Sequence, residues 1–215
     1  MKRYFITGTD TDCGKTWVTA QLVNFFSNSA AIKPVASGCT VIGNQLVSAD
    51  AEHLQQAYNL PLNEITPWRF QLPISPHLAA RDAGETLSIK TIADYCLNLQ
   101  ITDKDILFIE GAGGLIVPLN ENETWIDFLK YSNIPVILVV GMTLGCINHA
   151  LLTESALKFH KIPCAGWIAN CLDPDMLALS DNIATLESKL KIPLLAHLPF
   201  SGHIKDLNLN LLQKL

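Results

Sequence analysis

The 215-residue sequence has no cluster of lysine or arginine, and its formal net charge is −5. A surface built for nucleic acid is therefore not expected. Any anionic ligand must be held by a local site instead of by a global positive field. The six cysteines are scattered, none in a CxxC pair, and several sit inside apolar runs. That excludes a disulfide framework and a thiolate zinc site, and is expected of reduced thiols in the cytoplasm. The six histidines share no ligand spacing either. Long apolar runs are missing: the longest, Ile134 to Val140, has the length of a strand, not of a membrane span. The apolar part of the opening MKRYFITGTD is too short for a secretory signal. No repeat, low-complexity tract or linker interrupts the chain, so one domain over residues 1–215 is expected.

What the sequence does have is apolar residues, 49% of the total. A parallel sheet covered on both faces accounts for this, because its strands are near-continuous apolar runs. Such runs occur at Arg3–Thr7, Ala31–Val35, Asp105–Ile109, Pro135–Val140, Ala165–Ala169 and Pro193–Leu198. Between them, helical spacing predicts helices over Lys15–Phe26, Ala49–Tyr58, Ser88–Leu99 (with Ser88 as N-cap), Asn148–His160 and Met176–Leu190. Alternation of this kind makes βαβ units, hence an α/β fold with a mostly parallel central sheet between two helical layers. Gly38–Val47 and the proline-bearing Pro61–Pro76 read as loops with short helical pieces. In an open α/β sheet, ligands bind at the C-terminal ends of the strands, and the motifs below all fall there.

The first strand leads into Gly8-Thr9-Asp10-Thr11-Asp12-Cys13-Gly14-Lys15-Thr16-Trp17. A glycine-bounded loop opening a helix presents backbone N–H groups and the positive end of the helix dipole to phosphate oxygens. Lys15 supplies a point charge for the β- and γ-phosphates and Thr16 a hydroxyl for Mg²⁺. Five residues, not the usual four, separate Gly8 from Gly14-Lys15-Thr16. Asp10 and Asp12 repel phosphate, so they either face a cationic second substrate or cap the loop. Cys13, a thiol at a helix N-terminus beside Lys15, is expected to react with alkylating agents and to be protected by ATP.

Strand Asp105–Ile109 runs into Glu110, an acid at the tip of a buried strand where a P-loop protein keeps its second metal carboxylate. The following Gly111-Ala112-Gly113-Gly114 allows close approach of backbone to a ligand. Asp50, by itself, could be a first-turn helix acid. Lys33, in a buried strand, either brings its ammonium to a partner at the site or snorkels to water. Ser37-Gly38 follows and could bind a polar substrate.

Taken together, Gly8-Thr9-Asp10-Thr11 with Gly14-Lys15-Thr16, Lys33-Pro34-Val35-Ala36-Ser37-Gly38, Ser75-Pro76-His77, Glu110-Gly111-Ala112-Gly113-Gly114, Leu144-Gly145-Cys146-Ile147-Asn148-His149 and Gly166-Trp167-Ile168-Ala169-Asn170 resemble the dethiobiotin synthetases, in the family's order. The five-residue loop spacing is the family's own. The resemblance implies a P-loop NTPase-like fold. It also implies a reaction in which ATP, CO₂ and 7,8-diaminononanoate give dethiobiotin, ADP and phosphate. One amine captures CO₂ as a carbamate, the carbamate attacks the γ-phosphate, and the second amine displaces phosphate from the carbamic–phosphoric anhydride.

It implies, further, that Lys15 and Lys33 stabilise the migrating phosphoryl group, and that Thr16, Asp50 and Glu110 hold Mg²⁺. Asp12 to Trp17, Gly111 to Gly113, Asn170, Cys171 and the Pro199-Phe200-Ser201 segment would bind the nucleotide. Thr11 and Ser37 would bind the substrate's reacting end. Gly145 and Asn148 would reach across a homodimer to the partner's substrate, and the helix bearing Ala150, Leu151, Leu152, Ala156 and Leu157 could line that interface. Partition-type ATPases of the same fold class carry a lysine early in the loop; positions 9 to 13 have none.

Overall fold

The computed structural model describes residues 1–57 and 60–204. In chain order the elements are β1 (Lys2–Gly8), α1 (Lys15–Phe25), β2 (Ser29–Ile32), β3 (Val35–Ala36), β4 (Thr40–Ile42), β5 (Gln45–Val47), α2 (Ala49–Ala57), α3 (Leu62–Ile65) and β6 (Trp68–Arg69). They continue with α4 (Pro76–Asp82), α5 (Ile89–Asn98), β7 (Ile106–Gly114), α6 (Trp125–Ser132), β8 (Val136–Met142), α7 (Cys146–Phe159), β9 (Cys164–Cys171), α8 (Leu179–Lys189) and β10 (Leu194–Leu198).

Six strands form one sheet in the order β10-β9-β8-β1-β7-β2, and every neighbouring pair is parallel. The chain leaves β1 toward β2 and β7 on one side, then returns to β8, β9 and β10 on the other. The order thus reverses at β1, and the crevice at its C-terminal end is where an open parallel sheet can receive a ligand. Pleating sorts the side chains of β8: Ile137 and Val139 join the larger core cluster, whereas Leu138, Val140 and Met142 join a smaller one with Ala150 of α7 and Leu186 of α8. Helix α1 buries Val18 and Leu22 in the larger cluster, which also holds Ile92 of α5 and Phe128 of α6. Helices therefore cover both faces, as the alternating apolar runs predict.

Local chemistry explains the ends. Ser88 caps α5 by accepting from Thr91 N at 3.4 Å. Thr124 and Asp127 make a reciprocal capping box on α6, and Asn133, left-handed at φ 54°, stops it. Arg3 of β1 gathers the carbonyls of Cys96, Leu97 and Leu99 at 2.9, 2.6 and 3.2 Å, tying the strand of the phosphate loop to the C-terminus of α5.

Several sequence expectations need correction. Gly38–Val47 is not a plain loop: β4 and β5 pair as an antiparallel hairpin turning at Gly43 (φ 61°). The strand expected over Ala31–Val35 ends at Ile32, because Pro34 has no N–H for a ladder. Val35 and Ala36 pair instead with Trp68 and Arg69. Gly111 to Gly114 continues β7 instead of leaving it, with Gly8 opposite Gly114 beyond a register shift. Helices α4 and α6 were not anticipated. The helix expected over Ala49–Tyr58 spans Ala49–Ala57; Tyr58 lies outside the described residues. No described helix is long and apolar enough to cross a membrane.

Candidate active site

The C-terminal ends of β1, β2 and β7 open onto a cavity of about 740 Å³. Thr11, Asp12, Gly14, Lys15 and Thr16 line one side, Lys33, Ser37 and Asp50 another, and Glu110, Ala112 and Gly113 the floor. These positions are scattered over a hundred residues of sequence, and the sheet brings them to one place. Pro73, Ile74, Ser75 and Pro76 close the cavity opposite the phosphate loop. Ser75-Pro76 had no role assigned from sequence; a serine before a proline at a helix start was the available signal.

The loop between β1 and α1 is held from inside. Gly14 stands at φ 84°, and a Cβ there would lie 2.1 Å from Asn170 Nδ2, so only glycine fits. That same Asn170 amide donates to Cys13 O at 2.9 Å, and the residue is only 2% exposed. Asn170 therefore props the phosphate loop. Asp10 Oδ1 accepts from Thr11 N at 2.7 Å, which makes Asp10 a loop cap, whereas Asp12 faces the cavity. Lys15 Nζ lies over the loop, donating to Asp10 O at 2.9 Å. Cys13 is 3% exposed, its backbone side against Gly141 and its sulfur against Gly8 and 3.9 Å from Lys15 Nζ, so burial counts against the expectation of a readily alkylated thiol.

Opposite the loop, two carboxylates and an ammonium share one small volume. Glu110 is fully buried and stands in the middle of β7, not at the strand tip expected from sequence, because the glycines after it continue the strand. Its Oε1 accepts from Thr16 Oγ1 at 2.6 Å and from Lys33 Nζ at 3.0 Å. Asp50, in the first turn of α2, accepts from Thr16 at 3.1 Å through Oδ1 and from Lys33 through Oδ2. The sequence left Lys33 between two fates; it does not snorkel, for its ammonium lies between both acids. Burial works against the Lys33 charge, yet the fields of Glu110 and Asp50 outweigh it and hold its pKa above the ordinary lysine range. Burial likewise pushes the Asp50 carboxyl up, but the charge of Lys33 and the hydrogen bonds from Lys33 and Thr16 bring it below its usual value.

Thr16 has one proton and faces two carboxylates, so it can donate to only one at a time. Glu110 Oε2 is buried without a hydrogen-bond partner among the described residues. Thr16, Asp50 and Glu110 are thus the residues that could hold a hard divalent cation, an all-oxygen set with unused lone pairs. No group of three or more His, Cys, Asp or Glu able to hold a metal occurs among the described residues.

The other expected residues lie outside this cavity. Gly111 packs against the Phe5 ring, where a Cβ would come within 2.6 Å of Cζ. Cys171 is buried, its thiol donating to Asp173 O at 3.3 Å. Pro199, Phe200 and Ser201 follow β10 at the surface. Near them His203 Nδ1 lies 2.9 Å from Gln21 Oε1, and the Trp17 ring sits 6.4 Å from His203 and 5.9 Å from His53. No local pattern signals this pairing of α1 with the chain after β10, which lies 182 residues from Gln21. Gly145 and Asn148 are exposed at the start of α7. In that helix Ala150 and Leu157 are buried in the chain's own core, while Leu152, like Leu144 before the helix, is exposed.

Solved structures of other proteins share this fold. A ParA family ATPase from Chlorobium tepidum superposes with a TM-score of 0.53 at 13% identity, covering 93% of this chain and 85% of that one. The MinC:MinD complex of Aquifex aeolicus gives 0.54 at 12%, covering 93% and 81%. At such identities the likeness concerns the fold alone. Sequence relatives are far closer. The family profile described as an AAA domain matches residues 2–206. The ATP-dependent dethiobiotin synthetase BioD of Legionella pneumophila (strain Corby) is 65% identical over 210 residues, 98% of this chain and 99% of that one. The Aeromonas salmonicida enzyme of the same name is 40% identical over 206 residues, 93% and 91%. With the phosphate loop, the buried Lys33–Asp50–Glu110 cluster and near full-length identity in agreement, the chain belongs to the ATP-dependent dethiobiotin synthetase family.

Proposed function

We propose that this chain converts 7,8-diaminononanoate and CO₂ to dethiobiotin in the cavity at the ends of β1, β2 and β7, using ATP and releasing ADP and phosphate. The observation that carries the reading is that Lys33, its ammonium buried, lines the same cavity as the phosphate loop, a cavity large enough for phosphates and a small substrate. Phosphoryl transfer asks mainly for positioning and for fixed positive charge where negative charge develops. Backbone N–H groups of the loop and Lys15 serve the phosphates. Lys33 and Ser37 line the same cavity, where a carbamate oxygen would be held toward the γ-phosphorus. Thr11 and Ser37 bind the reacting end of the substrate, and Asp12, facing the cavity, favours a diamine that arrives as a cation.

The chemistry balances without a covalent enzyme intermediate. A neutral amine adds to CO₂ and loses a proton to give the carbamate. A carbamate oxygen forms a bond to the γ-phosphorus as the bond to ADP breaks. The second amine attacks the carbonyl carbon, the C–O bond to phosphate breaks, and the ring closes with loss of a proton. Thr16, Asp50 and Glu110 would hold Mg²⁺, which offsets phosphate charge when bound; the unpartnered Glu110 Oε2 supports this. The nucleotide base would lie toward Trp17 and the Pro199–Ser201 segment. Asn170 serves the site by supporting the loop backbone at Cys13, and Gly111 by packing against Phe5.

A homodimer fits the exposed Leu144, Gly145, Asn148 and Leu152, with Gly145 and Asn148 offered to the partner's substrate. Free thiols at all six cysteines suit the cytoplasm. The test is phosphate release from ATP, Mg²⁺ and bicarbonate with and without the diamine, with dethiobiotin followed by mass spectrometry. Release that depends on the diamine and matches the product supports the reading; release indifferent to it overturns it.

A further inference from the structure

Two acids, one hydroxyl and one ammonium meet at the ends of β2, β7 and α1, and their needs conflict. Lys33 contacts Asp50 Oδ2 and lies 3.0 Å from Glu110 Oε1. The same Glu110 oxygen and the other Asp50 oxygen receive Thr16, at 2.6 and 3.1 Å. Glu110 is wholly buried and Asp50 half so, and such a pair of like charges stays together only with a cation between them. In the geometry on view that cation is Lys33. An ammonium bound to both acids has two of its three donors engaged, which leaves at most one for a carbamate or a phosphoryl oxygen.

The geometry points to Lys33 as an exchangeable internal cation. It occupies the divalent ion's place between Asp50 and Glu110, and is released toward the substrate side of the cavity only when a divalent ion takes over the two acids. This positioning role rests on the function proposed above, but it concerns the protein and the metal alone. Its consequence is order. Before the ion binds, the site keeps its carboxylates aligned, and Lys33 is withheld from chemistry; afterwards the same side chain can reach the reacting oxygens. The arrangement also disfavours attack on ATP in the absence of the metal, since the ammonium that would stabilise transferring charge is engaged elsewhere.

The experiment titrates Mn²⁺ against the full chain without nucleotide or substrate, following the free ion by electron paramagnetic resonance, for the wild type and Lys33→Met. If Lys33 competes with the ion, the variant binds Mn²⁺ roughly tenfold to a hundredfold more tightly, the equivalent of one hydrogen-bonded charge contact no longer to be displaced. Equal or weaker binding in the variant overturns the proposal. Only a lysine lying clear of both acids would leave this affinity unmoved; whether the ammonium is released is read from its reactivity.

Should Lys33→Met not fold, the wild type decides. Acetylation of Lys33, read by mass spectrometry, should quicken several-fold when saturating Mg²⁺ is added, and an unchanged or slower rate overturns the proposal. Neither readout involves the diamine, so loss of the synthetase reading and loss of the exchange are told apart. Dethiobiotin formation can fail while Mn²⁺ affinity rises in the variant, and the reverse.

Discussion

Adding one methyl group at Gly111 tests whether the glycine after Glu110 serves packing or ligand contact. An alanine Cβ there would lie 2.6 Å from Phe5 Cζ and 3.1 Å from Cε1. The ring cannot step aside, because its centroid is 5.2 Å from that of Trp125 and 5.3 Å from that of Phe128. Overpacking a core of this density costs about 1–3 kcal/mol. For a chain of this length each kcal/mol moves the melting temperature by roughly 2–4 °C, so Gly111→Ala should melt about 5 °C lower by circular dichroism. Phe5→Leu will also lower it, through the cavity it leaves. The two should not add: in the double variant the shorter side chain makes room for the methyl group, with a coupling of about 0.5–3 kcal/mol. Phosphate release should fall in Gly111→Ala, since Glu110 is the adjacent residue, and recover partly in the double variant. A melting temperature within about 1 °C of wild type, or strictly additive losses, would refute the packing argument.

Thr16→Val should lower diamine-dependent phosphate release by at least about tenfold, since hydrogen bonds to charged groups are worth about 1.5–3 kcal/mol and about 1.4 kcal/mol is a factor of ten. Asn170→Ala should weaken ATP binding, measured by calorimetry, because Cys13 O loses its donor and the loop its prop; unchanged affinity would show that the loop needs no such support. The folded-state pKa of Asp50 lies below its ordinary value of 3.8. Its contribution to stability is therefore present above about pH 4 and lost as pH falls through the lowered pKa, so Asp50→Asn should flatten the acid limb of melting temperature against pH. Lys33 is raised above 10.5, so its contribution is present below that pH and is lost only in stronger alkali. Cys13 should resist iodoacetamide in the native chain and react readily in urea, by mass spectrometry; rapid native labelling would contradict its burial.

The sheet was legible because β8 is an unbroken apolar run and α5 begins at a serine cap, both local signals. The cluster was half legible. Glu110 announced itself as an acid after an apolar run, although the strand continues past it to Gly114, but the partners of Lys33 could not be read, since Asp50 and Glu110 lie 17 and 77 residues away and meet only through sheet order. Asp50 taken alone was one helix acid among many. The β4–β5 hairpin was obscured by its brevity and by the loop-like composition around Gly43. Helix α6 has a local signal in Thr124 and Asp127 at capping-box spacing, though an aspartate at that position is less usual than Glu or Gln. The role of Asn170 was visible only in three dimensions, 157 residues from the carbonyl it holds.

Trp125 has no exposed surface, and its indole Nε1 donates to Ala112 O at 3.0 Å. Ala112 is itself on the cavity floor, one peptide beyond Gly111. Tryptophan emission is sensitive to the field along the indole ring, and here the ring is bonded to the backbone a ligand would polarise. The chain thus carries a built-in optical probe of its own cavity. Changes in emission on adding nucleotide, isolated with Trp17, Trp68 and Trp167 replaced by phenylalanine, would follow occupancy in real time without any label.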